Sequence, residues 1–145
     1  MNEADKWPKN LTVPIGGVPS ERIGAVWERV LPLLHRVIKP MTGYSTSALY
    51  SELISGLSQL WVIGDFQAIV VTSVQQRPLH KILWVQFLAG SKLGHWLDDW
   101  ITVMEAFAKA HDCVAIEFSG RPGWNWIQKQ HPDYRAVSTT FRKEL

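Results

Sequence analysis

The sequence predicts an α+β fold, in which one mixed and strongly twisted sheet is covered by helices on both faces. Three observations lead to this prediction. The chain has 145 residues, the size of one domain with one sizeable core. Its middle part, from Leu79 to Gly120, reads as strand, glycine loop, amphipathic helix and strand. Both strands are nearly continuous apolar runs, as expected of parallel strands that are covered on both faces.

The helix of this central unit carries the clearest periodic signal in the chain. Between Leu93 and Ala110, apolar residues recur every three or four positions, and polar residues occupy the other side. Because such a helix joins two buried strands, it predicts a right-handed crossover with Ile82–Leu88 and Val114–Phe118 parallel. The apolar stripe should be nearly inaccessible; it consists of Leu93, Trp96, Leu97, Trp100, Ile101, Met104, Phe107 and Ala108.

The N-terminal part of the chain predicts an edge strand followed by a helix. Leu11–Ile15 contains a proline, which strands tolerate mainly at sheet edges, and the glycines at 16–17 should end it. Ser20 is the predicted N-cap of the first helix, whose apolar stripe extends to Ile38. Pro32 lies inside that stripe and should kink or divide the helix.

A second helix and a hairpin precede the central unit. The helix is predicted from about Ser47 to Leu57. The strands Leu60–Ile63 and Phe66–Gln75 are separated by a short Gly-Asp turn sequence, which favours an antiparallel hairpin.

Two further elements are predicted after the central unit. Residues 124–130 read as a short helix, and Arg135–Phe141 alternates apolar and polar residues as a terminal strand does. The complete order is β-α-α-β-β-β-α-β-α-β. Residues 1–10 are predicted to be a flexible arm, and residues 11–145 a single domain.

Composition and charge exclude several classes of protein. A formal net charge of +2, without a basic stripe, does not indicate a nucleic-acid-binding protein. No apolar run approaches the roughly 20 residues of a membrane helix, and the polar start of the chain is unlike a secretory signal. The histidines are scattered and Cys113 is the one cysteine, so neither a metal site nor an internal disulfide is predicted. We therefore expect a soluble, intracellular protein.

The order of elements, the length and the central strand-loop-helix-strand unit resemble the GNAT (Gcn5-related N-acetyltransferase) fold over nearly the whole chain. Two short segments, Ile116–Trp124 and Thr140–Leu145, are more narrowly similar to small GNAT-like proteins of tailed bacteriophages. This second resemblance implies a location in the host cytoplasm or in the phage particle.

The GNAT resemblance implies a place for acetyl-CoA. In that family the cofactor lies between two parallel strands, and backbone N–H groups of a loop written Q/R-x-x-G-x-G/A bind its pyrophosphate. Glycines let the backbone approach the phosphates, and a helix N-terminus supplies partial positive charge. Ser91 replaces the leading residue of that pattern, and Trp96 replaces its second small residue, where bulk should crowd the pyrophosphate. Acetyl-CoA is therefore expected to bind weakly or not at all; the residues matched to the loop are Gly90, Ser91, Lys92, Leu93 and Gly94.

Glu117 is the candidate catalytic base, because a partly buried carboxylate among apolar strand residues can accept a proton from an ammonium substrate. The alternative is an ion pair with Arg121 or with a neighbouring strand end. Gln86 stands where several GNAT enzymes carry a catalytic carboxylate, and an amide cannot act as a base. Lys129 stands at the place of the tyrosine with which GNAT enzymes often protonate the leaving thiolate.

A candidate partner surface follows the central unit. Trp124 and Trp126 are two positions apart, so their rings cannot share one helix face, and at least one should be exposed beside Arg121. Exposed tryptophan and arginine side chains are typical of interface hot spots. These three residues predict docking onto a phage structural protein or onto a second copy of the chain.

Two functions are compatible with these residues. The favoured hypothesis is a non-catalytic or weakly catalytic GNAT-like bacteriophage protein, kept for binding during assembly or in the virion, with no cofactor. The alternative is an acetyl-CoA-dependent N-acetyltransferase that acts on an amine, with Glu117 as base and residues 90–94 as the phosphate loop. A fold shared with enzymes does not carry their chemistry with it.

Overall fold

A computed structural model describes residues 11, 13–39, 42–120 and 127–145, and these form a five-stranded mixed sheet with α-helices on both faces. The elements in chain order are β1 (Ile15–Val18), α1 (Ile23–Leu34), α2 (Thr46–Ser55), β2 (Gln59–Ile63), β3 (Ala68–Gln76), β4 (Lys81–Gly90), α3 (Leu93–Ala110), β5 (Cys113–Phe118) and α4 (Ile127–Gln130). The strands lie in the order β1-β2-β3-β4-β5. All neighbours are antiparallel except β4 and β5, which are parallel. The predicted fold class is confirmed.

The central unit has the predicted arrangement. β4 and β5 run parallel, with Val85 opposite Phe118, and α3 joins them over the bounds expected from its periodicity. The apolar stripe of α3 is inaccessible except at Leu93, which is half-buried: Trp100 is 3% exposed and Met104 is fully buried. The prediction of a crossover between two parallel strands is therefore confirmed.

Two hydrophobic layers flank the sheet, because each strand directs successive side chains to opposite faces. On one face, α3 and α4 pack against a layer that includes Trp61 and Leu83. On the other face, α1 and α2 pack against Leu60 and Val71. Neighbours such as Leu60 and Trp61 thus belong to different layers, and helices bury both faces of the sheet.

The edge strand is β1 and not the predicted Leu11–Ile15, and the predicted break at the two glycines is wrong. Both glycines lie within the strand, where Gly17 is opposite Trp61 of β2. A β-carbon on Gly17 would lie 3.4 Å from the indole ring. The absence of a side chain at this edge position leaves room for the large ring of the neighbouring strand.

The predicted N-cap of the first helix is wrong, and so is the predicted division of the helix at Pro32; the kink, which was the other possibility, stays a prediction. Ser20 is not its N-cap, because it lies in a 3₁₀ turn, Ser20–Arg22, that precedes α1. Pro32 does not divide the helix, which continues to Leu34. Pro32 lies in the last turn of α1, so the backbone hydrogen bond that its ring removes is near the helix end, where little helix remains to be lost.

The hairpin and the second helix form as predicted. β2 and β3 are antiparallel neighbours. α2 starts at Thr46, because the Ser45 hydroxyl accepts a hydrogen bond from the Ala48 N–H at 3.1 Å. It ends at Ser55, because Gly56 has a left-handed φ of 81° that closes the helix.

The terminal strand predicted at Arg135–Phe141 does not form. Its apolar side chains face solvent, and Phe141 is 91% exposed. Alternation alone does not make a strand, because β propensity largely reflects packing against a neighbouring strand. Within the described ranges, β5 pairs only with β4.

Candidate functional site

The site indicated by the fold lies where β4 continues past β5. The last paired residues of the two strands are Val85 and Phe118, whereas β4 extends to Gly90. A cavity of about 110 Å³ lies at this point, and we call it the strand opening. It is lined by Val85, Gln86, Phe87, Leu88, Trp100, Phe118, Ser119 and Ile127.

A β-bulge in β4 shapes the strand opening. Phe87 and Val85 are opposite consecutive residues of β3, so Gln86 is an extra residue in β4. Val85 packs in the α3 layer and Phe87 in the α1–α2 layer. The Gln86 side chain also turns to the α2 side, with its Oε1 3.5 Å from Ser58 Oγ. The bulge therefore directs two consecutive side chains to the same face of the sheet.

Trp100 brings a polar group to the strand opening. Its indole Nε1–H is buried and has no hydrogen-bond partner among the described residues. Leaving a buried donor unpaired costs about 1–3 kcal/mol, so such a group in a native fold requires an explanation. Trp100 lines the cavity, but its Nε1 atom is itself covered, so a ligand carbonyl in the strand opening would become its acceptor only after a shift of the side chains around it.

The first two residues of the predicted phosphate loop, Gly90 and Ser91, contact the neighbouring strand of the sheet. A β-carbon on Gly90 would lie 2.4 Å from the Cα of Ala68, and Gly90 has a φ of 144°. The Ser91 N–H donates a hydrogen bond to the Gln67 carbonyl at 3.2 Å. Gly90 and Ser91 thus hold the end of β4 against the start of β3.

The other three loop residues begin α3. Lys92 is the N-cap residue; it is exposed and has a left-handed φ of 59°. The first turn, which includes Leu93 and Gly94, contains no acidic residue, and the space beside Gly94 is open. The unpaired N–H groups of a helix start, next to a lysine, favour an anion. These three residues retain the physical basis of the predicted phosphate site.

Trp96 does not obstruct the loop, which corrects the reason for expecting weak acetyl-CoA binding. Its side chain is 1% exposed and lies in the α3 layer, with its ring centroid 6.5 Å from that of Trp100. The Trp96 Nε1–H donates to the Ser91 carbonyl at 2.9 Å. The bulky ring therefore faces the core and leaves the start of α3 uncrowded.

Glu117 forms an ion pair at the edge of the sheet. Its two carboxylate oxygens accept hydrogen bonds from the Arg77 guanidinium at 3.0 and 3.1 Å. Arg77 lies in the turn between β3 and β4, and β4 is the strand that pairs with β5, so the partner is at a neighbouring strand end, as one of the two sequence interpretations expected. Because both oxygens are engaged and the charge is paired, Glu117 is held as a carboxylate that already has a partner. Its catalytic role stays a prediction.

A second cavity, of about 450 Å³, lies on the α2 side of the sheet, and we call it the α2 cleft. Glu52 in this cleft accepts a hydrogen bond from the Tyr44 hydroxyl and another from the Ser58 hydroxyl at 3.1 Å. Burial, followed by the bond to Glu52, raises the pKa of Tyr44, so its phenol remains a donor. The cleft is lined by Tyr44, Glu52, Leu57, Ser58, Ser73, Val74, Gln75, Trp84 and Gln86.

The α2 cleft contains polar residues that the sequence reasoning missed. Tyr44, Glu52 and Ser58 belong to no motif, and only the folded chain brings them to Gln86 in β4. One signal was available for Glu52, which stands on α2 between the buried residues Leu49 and Leu53. A carboxylate at the border of an apolar stripe is a candidate for a polar site beside the core.

The candidate partner residues Arg121, Trp124 and Trp126 lie outside the described residues. In the part of the chain that the structure covers, no group of His, Cys, Asp and Glu side chains could hold a metal ion. None of the described helices is both long enough and apolar enough to span a membrane.

Tyr134 packs beneath the strand opening and gives a testable pH dependence. Its ring centroid is 6.2 Å from that of Phe118, and burial, with the nearby Glu105 and Asp133, raises its pKa to about 12 from an ordinary 10.0. The pKa of Tyr134 is higher in the folded than in the unfolded protein. The stability that its neutral phenol contributes to the folded protein is therefore complete below about pH 10 and is lost as the pH rises to about 12.

We therefore expect the wild-type free energy of unfolding to fall more steeply than that of Tyr134→Phe over this alkaline window. Urea unfolding at a series of pH values measures both slopes. Parallel curves for the two proteins would contradict the expected shift.

Solved structures that are similar to this chain identify its fold. An aminoglycoside acetyltransferase from an uncultured soil metagenomic sample matches with a TM-score of 0.68 and 11% identity, over 92% of this chain and 96% of that one. A ribosomal-protein-alanine N-acetyltransferase from Brucella melitensis matches with a TM-score of 0.61 and 11% identity, over 92% and 98%. The glucosamine-6-phosphate N-acetyltransferase of Arabidopsis thaliana matches with a TM-score of 0.60 and 13% identity, over 92% of this chain and 98% of that one.

The fold is therefore the GNAT acetyltransferase fold, as the sequence resemblance predicted. No family model matches the sequence, and no curated protein matches it either. At such low identities the likeness establishes the fold and not the reaction. The narrower resemblance to bacteriophage proteins stays a prediction.

Proposed function

We propose that this protein is an acetyl-CoA-dependent N-acetyltransferase that binds the cofactor in the strand opening. The observation that carries the proposal is the cavity at the point where β5 stops and β4 continues; it is lined by Trp100, whose buried indole N–H has no partner among the described residues. The fold supports it, since its solved neighbours include several named acetyltransferases. This proposal replaces the binding-protein hypothesis as the favoured function, because the Trp96 ring is buried in the core and does not crowd the start of α3.

The residues of the strand opening fit an extended ligand that carries amide groups. β5 offers no partner to Gln86–Leu88, so that edge of β4 is open to a ligand as it would be to an added strand. The Trp100 indole can donate to a ligand carbonyl. At the other end of β4, the start of α3 with Lys92 can bind phosphate groups.

Bound acetyl-CoA would supply an acetyl group as a thioester, which a neutral amine can attack. The protein residues would hold the cofactor in place and exclude water. Phe118 and Ile127, which line the strand opening, provide apolar walls for this purpose.

Acetyl-CoA binding can be measured by calorimetry and by NMR of the indole N–H groups. We expect saturable binding, a shift of the Trp100 signal, which is identified by its loss in Trp100→Phe, and amine-dependent release of thiol. Because one hydrogen bond contributes about 0.5–1.5 kcal/mol, Trp100→Phe should weaken binding about two- to tenfold. Trp27→Phe is the matched control, since Trp27 packs on Tyr50 in the opposite layer and the change should leave the affinity unaltered.

Two results would contradict the proposal. One is the absence of binding heat together with an unmoved Trp100 signal. The other is a complex in which the Trp27 signal shifts and the Trp100 signal does not, because the ligand would then lie on the other face.

The binding-protein hypothesis stays a prediction. Its surface consists of Arg121, Trp124 and Trp126, and it concerns a phage structural protein or a second copy of the chain. Binding of such a partner by a protein that binds no acetyl-CoA would favour it over the enzyme.

A further inference from the structure

The α2 cleft holds a carboxylate with no cationic partner among the described residues. Glu52 accepts hydrogen bonds from two neutral hydroxyls, those of Tyr44 and Ser58. The described residues that line the cleft include no lysine or arginine. Glu117 differs in this respect, since the Arg77 guanidinium pairs with both of its oxygens. Glu52 can therefore pair with a cationic group of a ligand, whereas Glu117 already has its partner.

The two hydroxyl oxygens beside Glu52 present lone pairs, because both hydroxyls donate to its carboxylate, while the Gln86 amide adds N–H donors. Ser58 Oγ is 3.1 Å from a Glu52 oxygen and 3.5 Å from Gln86 Oε1, so its single hydrogen is directed to Glu52. The Tyr44 hydroxyl also donates its hydrogen to a Glu52 oxygen. A ligand that approaches this group meets oxygen lone pairs. An ammonium group, which has three donors and no acceptor, matches them.

Gln86 connects the α2 cleft to the strand opening. It lines both cavities, because the bulge turns its side chain to the α2 side while its backbone stays at the end of the β4–β5 pairing. A ligand held between Glu52 and Gln86 would therefore lie next to a cofactor in the strand opening.

The other lining residues of the α2 cleft would contact the part of the ligand that does not carry the charge. Leu57, Val74 and Trp84 are apolar lining residues, and Leu57 is largely exposed at the rim. Glu52 is the one carboxylate among the described lining residues. Because the cleft offers one charge, it suits a monoamine better than a polyamine, and Ser73 and Gln75 beside these apolar residues also accommodate polar groups on the ligand.

We infer that the α2 cleft is the acceptor site for a monoamine and that Glu52 accepts its proton; this rests on the proposed function. In this step an N–H bond of the ammonium group breaks and the proton passes to a Glu52 carboxylate oxygen. The products are a neutral amine with a free electron pair and a neutral Glu52 carboxyl group. Tyr44 and Ser58 are positioning residues that orient the carboxylate.

The inference is tested first by ligand binding without acetyl-CoA. 2-Phenylethylamine should shift the indole signal of Trp84, assigned through Trp84→Phe, whereas the uncharged 2-phenylethanol should shift it far less. Glu52→Gln should remove this difference between the two probes. The matched control is Glu28→Gln, because Glu28 is an exposed glutamate of α1 outside both cavities. Equal responses of the wild-type protein to both probes would overturn the inference.

The second test is the pH profile of acetyl transfer to 2-phenylethylamine. General bases contribute about 10²–10⁴-fold, so Glu52→Gln should lower kcat/KM at neutral pH about a hundredfold or more and move the rising limb to the pH at which the free amine loses its proton. Glu28→Gln should change neither. If Glu117→Gln has these two effects while Glu52→Gln has neither, Glu117 is the base and the inference is wrong.

The two proposals fail in different ways. If the wild-type protein binds acetyl-CoA and acetylates the amine while Glu52→Gln does so equally well, the proposed function stands and this inference falls. If no acetyl-CoA binds, the proposed function falls, and the Trp84 experiment still decides whether the α2 cleft takes an amine. Should Glu52→Gln fail to fold, the comparison of the two probes on the wild-type protein remains decisive.

Discussion

Replacing Gly90 with alanine should lower the free energy of unfolding by about 3 kcal/mol. Gly90 has a φ of 144°, which residues with a β-carbon rarely adopt. The added carbon would also lie 2.4 Å from the Cα of Ala68, and backbone cannot move aside as the end of a flexible side chain can. Urea unfolding followed by circular dichroism measures the loss.

Gly94→Ala is the matched control for this change. Its added β-carbon meets no atom within 4 Å, and alanine is favoured over glycine in a helix. Its free energy of unfolding should be unchanged or higher by up to about 1 kcal/mol. Equal stability of the two variants would mean that β4 does not approach β3 as closely as described. A loss of stability in Gly90→Ala alone would show that the sheet requires glycine at position 90 and that the fold does not require it at position 94.

Trp96→Ala should cost about 3–5 kcal/mol of unfolding free energy, although it restores the small residue that the GNAT loop pattern has at this position. Trp96 is buried against Trp100, and its Nε1–H joins the first turn of α3 to the Ser91 carbonyl. Removal of the ring would leave a cavity at the start of the helix and an unpaired carbonyl. Thermal and urea unfolding measure the effect.

Trp96→Phe separates the two contributions of the indole. It keeps most of the apolar contact and removes the hydrogen bond, so its loss of stability should be clearly smaller than that of Trp96→Ala. A Trp96→Ala protein that is as stable as the wild type and binds acetyl-CoA more tightly would restore the crowding hypothesis. Folded Trp96→Ala with weakened binding would fit the buried position of the ring.

The parallel unit around α3 was predictable because its signals are local. A stripe that repeats every three or four residues can be buried only by a helix, and the two apolar runs beside it can be buried only by neighbours on both faces. The tail at Arg135–Phe141 carried an equally local signal, but a strand needs a partner, and β5 does not provide one in the described structure. The α3 prediction thus succeeded, whereas the prediction of a terminal strand failed.

The candidate site was predictable only in part. The loop at residues 90–94 could be located from its resemblance, but sequence comparison could not tell that Gly90 meets Ala68 or that the Trp96 ring turns to the core. For Glu117, the sequence interpretation included a partner at a neighbouring strand end, and the structure identifies it as Arg77. Side-chain direction at the end of an element depends on the neighbouring elements, which a local pattern does not contain.

By itself, the sequence determined the order of most elements, the parallel crossover and the apolar face of α3. These features are local, because a buried helix or strand has apolar residues at regular intervals in its own sequence. Only the tertiary structure decided that Tyr44, Glu52 and Ser58 meet Gln86, and that Gln86 stands between the α2 cleft and the strand opening. A bulge of one residue in β4 turns that side chain to its place. Its position results from the pairing of β4 with β3 and β5, and no periodicity within β4 encodes that pairing.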